Sequence, residues 1–232
     1  MRIRSSTQTN QGLTLIEAIV VLCVIALFAM VIVPTYLTPH HYRSRIGCTN
    51  NLKQTALAFK IWAGDNNDRF PMQVSVTNGG AMEATAAGDA LKAFQQMSNE
   101  LSTPKVIICP NDFLRHFAAT NFTTDLTNKV SYFIGADATD ANPQMILAGD
   151  NDLLFNQSPV HPGIISVTVS SQLEWNADRH GGMADQGWFK KPKKIAAGNI
   201  ALTDGSVQSC YNIGLSNYLS QTGLTTNRLL IP

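Results

Sequence analysis

Residues 12–42 read GLTLIEAIVVLCVIALFAMVIVPTYLTPHHY, and this stretch decides how the rest of the chain is interpreted. From Ala18 to Tyr42 it contains no Asp, Glu, Lys or Arg. A hydrocarbon core about 30 Å thick is crossed by about 20 apolar helical residues, which this run supplies. The sequence therefore predicts an apolar N-terminal helix of membrane-spanning length.

Two simpler interpretations of this run fit less well. A cleaved signal peptide has a shorter apolar region followed by a small-x-small site, and no such site follows the run here. An ordinary anchor leaves Glu17 unexplained, because a carboxylate in an apolar helix costs about 2.5–3.5 kcal/mol at mid-membrane on insertion scales. Such a residue usually needs a partner.

The segment Gly12-Leu-Thr-Leu-Ile-Glu17 resembles the signature of type IV prepilins and type II secretion pseudopilins, a Gly followed by Phe-Thr-Leu-Ile-Glu. The resemblance implies that prepilin peptidase cuts between Gly12 and Leu13 and methylates the new N-terminus. It also implies that Pro34 matches the proline of the family helix. Leu13 in place of Phe, and Gln11 in place of a basic residue, depart from the family pattern and put the efficiency of processing in doubt.

The physics of a filament suits these positions. Cleavage creates an α-amine in an apolar environment, and Glu17 of a neighbouring subunit neutralises it. A charge pair is strong at low dielectric, and an unpaired charge is heavily penalised. Glu17 is therefore expected to fix the register between subunits, and Pro34 to bend or locally melt the helix.

The expected localisation is the bacterial inner membrane, crossed once, with a cytoplasmic N-terminus and a periplasmic head, followed by incorporation into a pseudopilus or pilus. Arg2 and Arg4 favour a cytoplasmic leader, although Arg43 and Arg45 beyond the run weaken that charge argument. The expected organisation is a leader (1–12), the transmembrane and assembly half of the long helix (13–38), its amphipathic half (39–64) and the periplasmic globular head (65–232).

The sequence after Pro39 predicts the amphipathic half of the long helix, followed by the head. Apolar residues recur at helical spacing on one stripe: Cys48, Leu52, Ala56, Phe59 and Ala63. Later β-prone runs cover 130–134, 145–148 and 164–169, and Asp204-Gly205 between two such runs is a strong hairpin signal. Residues 228–232 are expected to add an edge strand. The predicted fold class is α+β and pilin-like, with a long N-terminal helix packed on a small antiparallel β-sheet head.

A narrower resemblance covers both ends and the middle of the chain. Cys48-Thr-Asn-Asn-Leu-Lys-Gln, Cys109-Pro110, and the later His180, Gly198-Asn199 and Asp204-Gly205 are similar to motifs of the large pilin-like proteins of planctomycete and verrucomicrobial bacteria. Those proteins are often labelled type II secretion proteins.

The chain has four cysteines and no Cys-x-x-Cys pair, which argues against a zinc knuckle or a thioredoxin-type site. A Cys48–Cys109 disulfide would staple the intervening loop to the helix and stabilise the fold by about 4 kcal/mol. Cys210 is an equal rival for either partner, and three free thiols also fit the sequence.

Candidate chemistry in the head is sparse. His180, Asp204 and Ser206 are the residue types of a hydrolytic triad, but no Gly-x-Ser-x-Gly elbow accompanies them. We therefore expect no enzyme activity. The histidines lack the spacing of zinc ligands. Two oxygen-rich loops suit calcium, although helix capping and solvated turns explain them more simply; their acidic residues are Asp65, Asp68, Asp150 and Asp152.

The function predicted from these features is a structural subunit of a type II secretion pseudopilus, polymerised through its N-terminal helix. The alternatives are a type IV pilin for adhesion, motility or DNA uptake, and a membrane-tethered periplasmic enzyme. Expected partners are prepilin peptidase, other pilin-like subunits, the inner membrane and the platform proteins of the secretion system. A net charge of +1 gives no reason to expect nucleic acid.

Overall fold

The computed structural model describes residues 14–36, 40–112, 115, 117–168, 170–176, 180, 182–184 and 193–232, with the backbone alone for 31, 33–36, 40–44, 182–184 and 193–194. The chain divides into two compact units, Met1–Tyr42 and Arg43–Pro232. The second unit is called the head.

Helix α1 spans Leu15–Tyr36 and carries the apolar run. Over the part of the chain that the structure describes, no helix combines the length and the apolar character needed to cross a membrane. This finding contradicts the predicted single-pass inner-membrane localisation.

The predicted pilin-like fold with one long N-terminal helix is also wrong. Two helices stand in its place, because α1 ends at Tyr36 and α2 spans His40–Asp65. Pro39 immediately precedes α2 in the sequence. A proline lacks the N–H that helix continuation needs, and it disfavours the helical conformation of the residue before it.

The described part of the head contains four shorter α-helices, together with three 3-10 helices at Pro71–Gln73, Val76–Asn78 and Pro104–Ile107. The α-helices are α3 (Met82–Ala86), α4 (Ala90–Gln96), α5 (Ser98–Leu101) and α6 (Asn212–Gln221). Asp89 caps α4, since its carboxylate accepts hydrogen bonds from the first turn as N-caps do.

The described part of the head also contains antiparallel strands. They are β1 (Tyr132–Gly135), β2 (Ile146–Asp150), β3 (Leu153–Phe155), β4 (Ser158–Pro159), β5 (Gly163–Thr168), β6 (Leu173–Trp175), β7 (Gly182–Ala184), β8 (Lys193–Ile195), β9 (Ala197–Leu202), β10 (Val207–Tyr211) and β11 (Thr226–Ile231). Six of them form the main sheet in the order β10-β9-β2-β1-β11-β5, and the other five form a three-stranded and a two-stranded sheet. This sheet-rich body is larger than the small sheet that the sequence predicts.

The register of the main sheet confirms one expectation and corrects another. Strands β9 and β10 form the predicted hairpin, and Gly205 closes its turn with a φ of 84°, a conformation that glycine adopts without steric cost. Strand β11 pairs with β1 on one side and β5 on the other. The C-terminal strand therefore lies inside the sheet, and its expected edge position is wrong.

Both faces of the main sheet are covered, so β1 is buried throughout. Successive side chains of a strand point to opposite faces. Accordingly, Tyr132 and Ile134 belong to a core shared with α2, whereas Phe133 belongs to a second core with Trp175 and the apolar face of α6.

The buried face of α2 is the stripe that the sequence predicts. All five of its residues are buried at no more than 1% exposure: Cys48, Leu52, Ala56, Phe59 and Ala63. Phe59 makes edge-to-face contacts with Phe70 and Phe94. This side of α2 is therefore integral to the core of the head, and it positions Cys48 for the site described next.

Candidate functional site

The N-terminus of α1 is organised by a reciprocal pair of hydrogen bonds between Thr14 and Glu17. The backbone N–H and the hydroxyl of Thr14 each donate to Glu17 Oε2 at 2.8 Å, and the Glu17 N–H donates to Thr14 Oγ1 at 3.4 Å. This is a capping box. The backbone N–H of Thr14, and then its hydroxyl, lower the pKa of Glu17, which favours the carboxylate.

The structure describes only some of the other residues that are predicted to act in assembly. Gly12 and Leu13, the expected processing site, lie outside the described residues. Pro34 lies within α1, which continues to Tyr36. The proline therefore does not end the helix.

A second candidate site lies inside the head, where α2 meets the loop that follows the 3-10 helix Pro104–Ile107. Cys48, near the start of the buried stripe of α2, forms a disulfide with Cys109. The Tyr132 hydroxyl donates to the Cys48 carbonyl at 3.1 Å. The loop and the helix are thus joined both covalently and through β1.

His180 completes this site from the segment between β6 and β7. Its Nε2 atom lies 3.3 Å from Cys109 Sγ and 3.2 Å from Asp150 Oδ2. The imidazole is 2% exposed and the Asp150 carboxylate is fully buried. Nδ1 of the ring has no hydrogen-bond partner in the part of the chain that the structure describes.

Asp150 is held in place by the neighbouring strand β9. The Asn199 backbone N–H donates to Asp150 Oδ2 at 2.7 Å, and the side-chain amide donates to the same oxygen at 2.9 Å. Asn199 Oδ1 in turn accepts hydrogen bonds from Thr49 on α2 and Ser209 on β10. A polar network therefore links α2, the main sheet and His180 through the carboxylate of Asp150.

These contacts show the structural roles of the motif residues His180, Asp204 and Gly205. The acidic neighbour of His180 is Asp150, whereas Asp204 accepts a hydrogen bond from the Ser206 N–H at 2.8 Å and stabilises the β9–β10 turn together with Gly205. Because the Cys109 sulfur is bonded to Cys48, it is no nucleophile in this form. The arrangement has a histidine and a carboxylate but no activated attacking group.

Cys210, the rival disulfide partner, is a buried free cysteine. Burial raises the pKa of its thiol to about 11. It is therefore protonated and unreactive at neutral pH, and it takes no part in the disulfide.

Potential metal ligands converge at one place among the described residues. The one group of three or more His, Cys, Asp or Glu ligand atoms that lie within 4.8 Å of one another comprises Cys48, Cys109 and His180. The four acidic residues predicted for calcium are not part of it. Asp65 and Asp68 are exposed at the end of α2, Asp150 is buried in the polar network, and Asp152 is partly buried, so calcium stays a prediction.

The sequence missed this grouping because its three ligand residues are far apart in the chain and match no spacing pattern. The signals that existed were the Cys109-Pro110 pair and the late His180 of the narrower resemblance, which carried no information about contact. A scan against protein-family models and searches of curated proteins and of solved structures found no match.

Proposed function

We propose that this chain is a structural assembly subunit of the pseudopilin type, which polymerises with other pilin-like subunits through α1 and serves a type II secretion system. The observation that carries the proposal is the surface of α1. Its large apolar side chains are between 44% and 82% exposed along its described length; they are Leu15, Ile16, Ile19, Val20, Val21, Leu22, Val24, Ile25, Leu27, Phe28, Met30 and Ile32.

An apolar helix whose faces are all exposed is expected to bind a partner that buries them. Each large aliphatic side chain gains about 1.5–3 kcal/mol when it is fully removed from water. Contiguous apolar patches of this kind mark interaction sites. A helix of the same sequence from another copy offers a matching surface, so a bundle of α1 helices from many copies would bury it.

Glu17 gives such a bundle its register. It is the acidic residue in the first turn of an otherwise apolar helix, and its carboxylate form is favoured. The proposal includes cleavage by prepilin peptidase between Gly12 and Leu13. The new α-amine of one subunit then pairs with Glu17 of its neighbour, because an unpaired charge in an apolar bundle is costly.

Cys23 allows a direct test, because it is an exposed cysteine within α1. Cells that carry the secretion system are treated with a bismaleimide cross-linker, and the products are resolved by size. We expect a cross-linked dimer and no larger product, because each subunit offers one reactive thiol and each thiol reacts once; Cys23→Ser removes the dimer. Cys210 does not interfere, since its thiol is buried with a pKa of about 11. Absence of the dimer in the unmodified chain would count against assembly through α1.

Two substitutions separate the charge of Glu17 from its capping role. Glu17→Gln keeps the capping box, because glutamine also bonds back to the N-cap backbone, but it removes the charge. Glu17→Ala removes both. We expect both variants to lose the cross-linked dimer, whereas Glu174→Ala, an exposed position on β6, retains it. Normal assembly of Glu17→Gln would reject the charge-register mechanism.

Processing is tested separately by mass spectrometry of the N-terminus. A methylated N-terminus at Leu13 is expected. An intact Met1 in the assembled protein would contradict cleavage by prepilin peptidase.

A further inference from the structure

The disulfide site holds a set of ligand atoms that suits a soft divalent metal. The two sulfur atoms and a nitrogen of His180 lie within 4.8 Å of one another. Cys48 is fully buried, Cys109 is 1% exposed and His180 is 2% exposed. Thiolate and imidazole are the ligands that select zinc, and hard ions such as calcium prefer oxygen.

The distances around His180 Nε2 match a tetrahedral centre. With metal–ligand bonds of about 2.0–2.3 Å, neighbouring ligand atoms of a tetrahedral zinc site lie about 3.3–3.8 Å apart. Cys109 Sγ lies 3.3 Å from His180 Nε2, and Asp150 Oδ2 lies 3.2 Å from the same nitrogen. Asp150 lies outside the group of three. Carboxylate oxygen is also a zinc ligand, and a shift of the Asp150 carboxylate towards the two sulfurs would let it supply the fourth.

The polar network provides outer support for such a centre. Asp150 Oδ2 already accepts two hydrogen bonds from Asn199. Outer hydrogen bonds to a ligating carboxylate orient it and are a regular part of metal sites. The Cys48 sulfur likewise accepts a hydrogen bond from the Asn111 N–H at 3.4 Å, which suits a sulfur that carries negative charge.

We propose that reduction of the Cys48–Cys109 disulfide converts this place into a zinc site with the ligands Cys48, Cys109, His180 and Asp150. A dithiol reductant supplies two electrons and two protons: the S–S bond breaks, two cysteine thiols form, and the reductant becomes a disulfide. Zn²⁺ then displaces the two thiol protons, forms two Zn–S bonds, and releases two protons to solvent. The sulfur atoms separate to the S···S distance of a tetrahedral site, about 3.8 Å.

As a consequence, α2 is linked to the rest of the head in both the oxidised and the reduced chain. In the oxidised chain the fastening is the covalent bond between Cys48 and Cys109. In the reduced chain it is the metal, which binds the same two sulfurs and adds His180 and Asp150 from the sheet side. Metal binding by residues that only the folded state brings together stabilises that state.

The test uses the full chain with Cys23→Ser and Cys210→Ser, so that Cys48 and Cys109 are the only thiols, in a mild detergent because α1 exposes apolar side chains. The protein is reduced with dithiothreitol, freed of it under anaerobic conditions, and mixed with ZnCl₂. We expect one zinc per reduced chain after desalting and none per oxidised chain. With CoCl₂ the reduced chain should show the sulfur-to-cobalt charge-transfer and visible bands of tetrahedral thiolate coordination.

His180→Gln should weaken zinc binding by more than about 100-fold, since loss of outer-shell groups alone costs 10–100-fold. Asp150→Asn should also weaken it. The matched control His161→Gln changes an exposed histidine and should bind as tightly as the parent. Zinc should also raise the urea midpoint of the reduced chain and leave that of the oxidised chain unchanged.

Three outcomes would overturn the proposal. The first is equal zinc content in the reduced and oxidised chains. The second is undiminished binding in His180→Gln, which would mean that two thiolates alone hold the ion. The third is a reduced chain that loses its near-ultraviolet circular dichroism and does not regain it with zinc, because a site that requires the fold would then not exist.

Discussion

His180 Nε2 lies 3.2 Å from Asp150 Oδ2 in the interior of the head, where neither side chain has appreciable contact with solvent. A buried carboxylate needs compensating donors, and Asp150 has them in two N–H groups of Asn199 as well as in His180. The contact therefore belongs to a network that connects the disulfide to the main sheet, and its members are expected to matter for stability beyond any assembly role.

Replacement of Asp150 by asparagine should lower the free energy of unfolding by about 2 kcal/mol, because hydrogen bonds to a charged group are worth about 1.5–3 kcal/mol. Urea unfolding followed by tryptophan fluorescence measures this change. The control is Asp140→Asn, which breaks the partly exposed pair with Lys60 and should cost about 1 kcal/mol or less. Equal effects of the two substitutions would contradict the importance of the buried network.

Removal of the disulfide should have a larger effect. Cys48 and Cys109 are 61 residues apart in sequence, and closing a loop of that length is worth about 4 kcal/mol on the loop-entropy account. The variant with both cysteines changed to serine should therefore unfold at a much lower urea concentration than the oxidised chain. Dithiothreitol, in the absence of metal, should shift the parent in the same direction and leave the double variant unchanged. An effect of the reductant on the double variant would contradict this assignment.

Some features of the fold follow from local sequence patterns, and others do not. The periodicity from Cys48 to Ala63 predicts the buried face of α2, and the Asp-Gly dipeptide predicts the β9–β10 hairpin, because both patterns depend on neighbours within a few residues. The position of β11 between β1 and β5 depends on pairing between strands that are far apart in the sequence, which local patterns do not encode. The same holds for His180, whose contacts come from distant strands and loops.

The extent of the helix in the apolar run is the clearest error of prediction from sequence. Its composition predicts a continuous long helix, but Pro39 directly precedes the second helix in the sequence, and a proline lacks the N–H that helix continuation needs. The structure accordingly divides the region into α1 and α2. The composition of a sequence segment shows its hydrophobicity well, but it predicts the exact ends of a helix poorly.

The acid dependence of stability should include a contribution from Asp125. The Lys129 ammonium, followed by the Thr120 N–H, lowers the pKa of this carboxyl from 3.8 to about 2. A depressed pKa stabilises the fold above the unfolded-state value and loses that contribution as the pH falls through the folded-state value. The stability difference between the parent and Asp125→Asn should thus be constant above about pH 5 and shrink from about pH 4 towards pH 2.

Carboxyl NMR titration of the folded protein measures this pKa directly. Lys129→Met removes the main cause of the shift and should bring the Asp125 pKa back towards its ordinary value. High salt should reduce the shift, since the pair is near the surface and is screened. An unshifted Asp125 carboxyl in the parent at low salt would contradict the prediction.

The two sides of α2 should respond very differently to truncation. Phe59 is fully buried against two other aromatic rings, and Phe59→Ala should cost about 3–5 kcal/mol. Leu57, two residues earlier, is 57% exposed, and Leu57→Ala should change stability by no more than about 0.5 kcal/mol. Thermal or urea unfolding of the pair tests whether the stripe seen in the sequence is the face that holds the helix.

Two glycine substitutions should change stability in opposite directions. A Cβ added at Gly198 would lie 2.4 Å from the Trp175 ring, which is itself buried in the second core, whereas a Cβ at Gly64 meets no atom within 4 Å. Gly198→Ala should therefore destabilise the head by about 1–3 kcal/mol through overpacking. Gly64→Ala, near the end of α2, should stabilise it by up to about 1 kcal/mol because alanine favours the helix.

Urea unfolding of both glycine variants, followed by tryptophan fluorescence and far-ultraviolet circular dichroism, gives the comparison. The two substitutions add the same methyl group, so a difference in sign isolates the effect of the surroundings. If Gly198→Ala were neutral, the close packing of β9 on Trp175 would be wrong. Since Gly198 directly precedes Asn199, a destabilised variant should also weaken the support that Asn199 gives to Asp150.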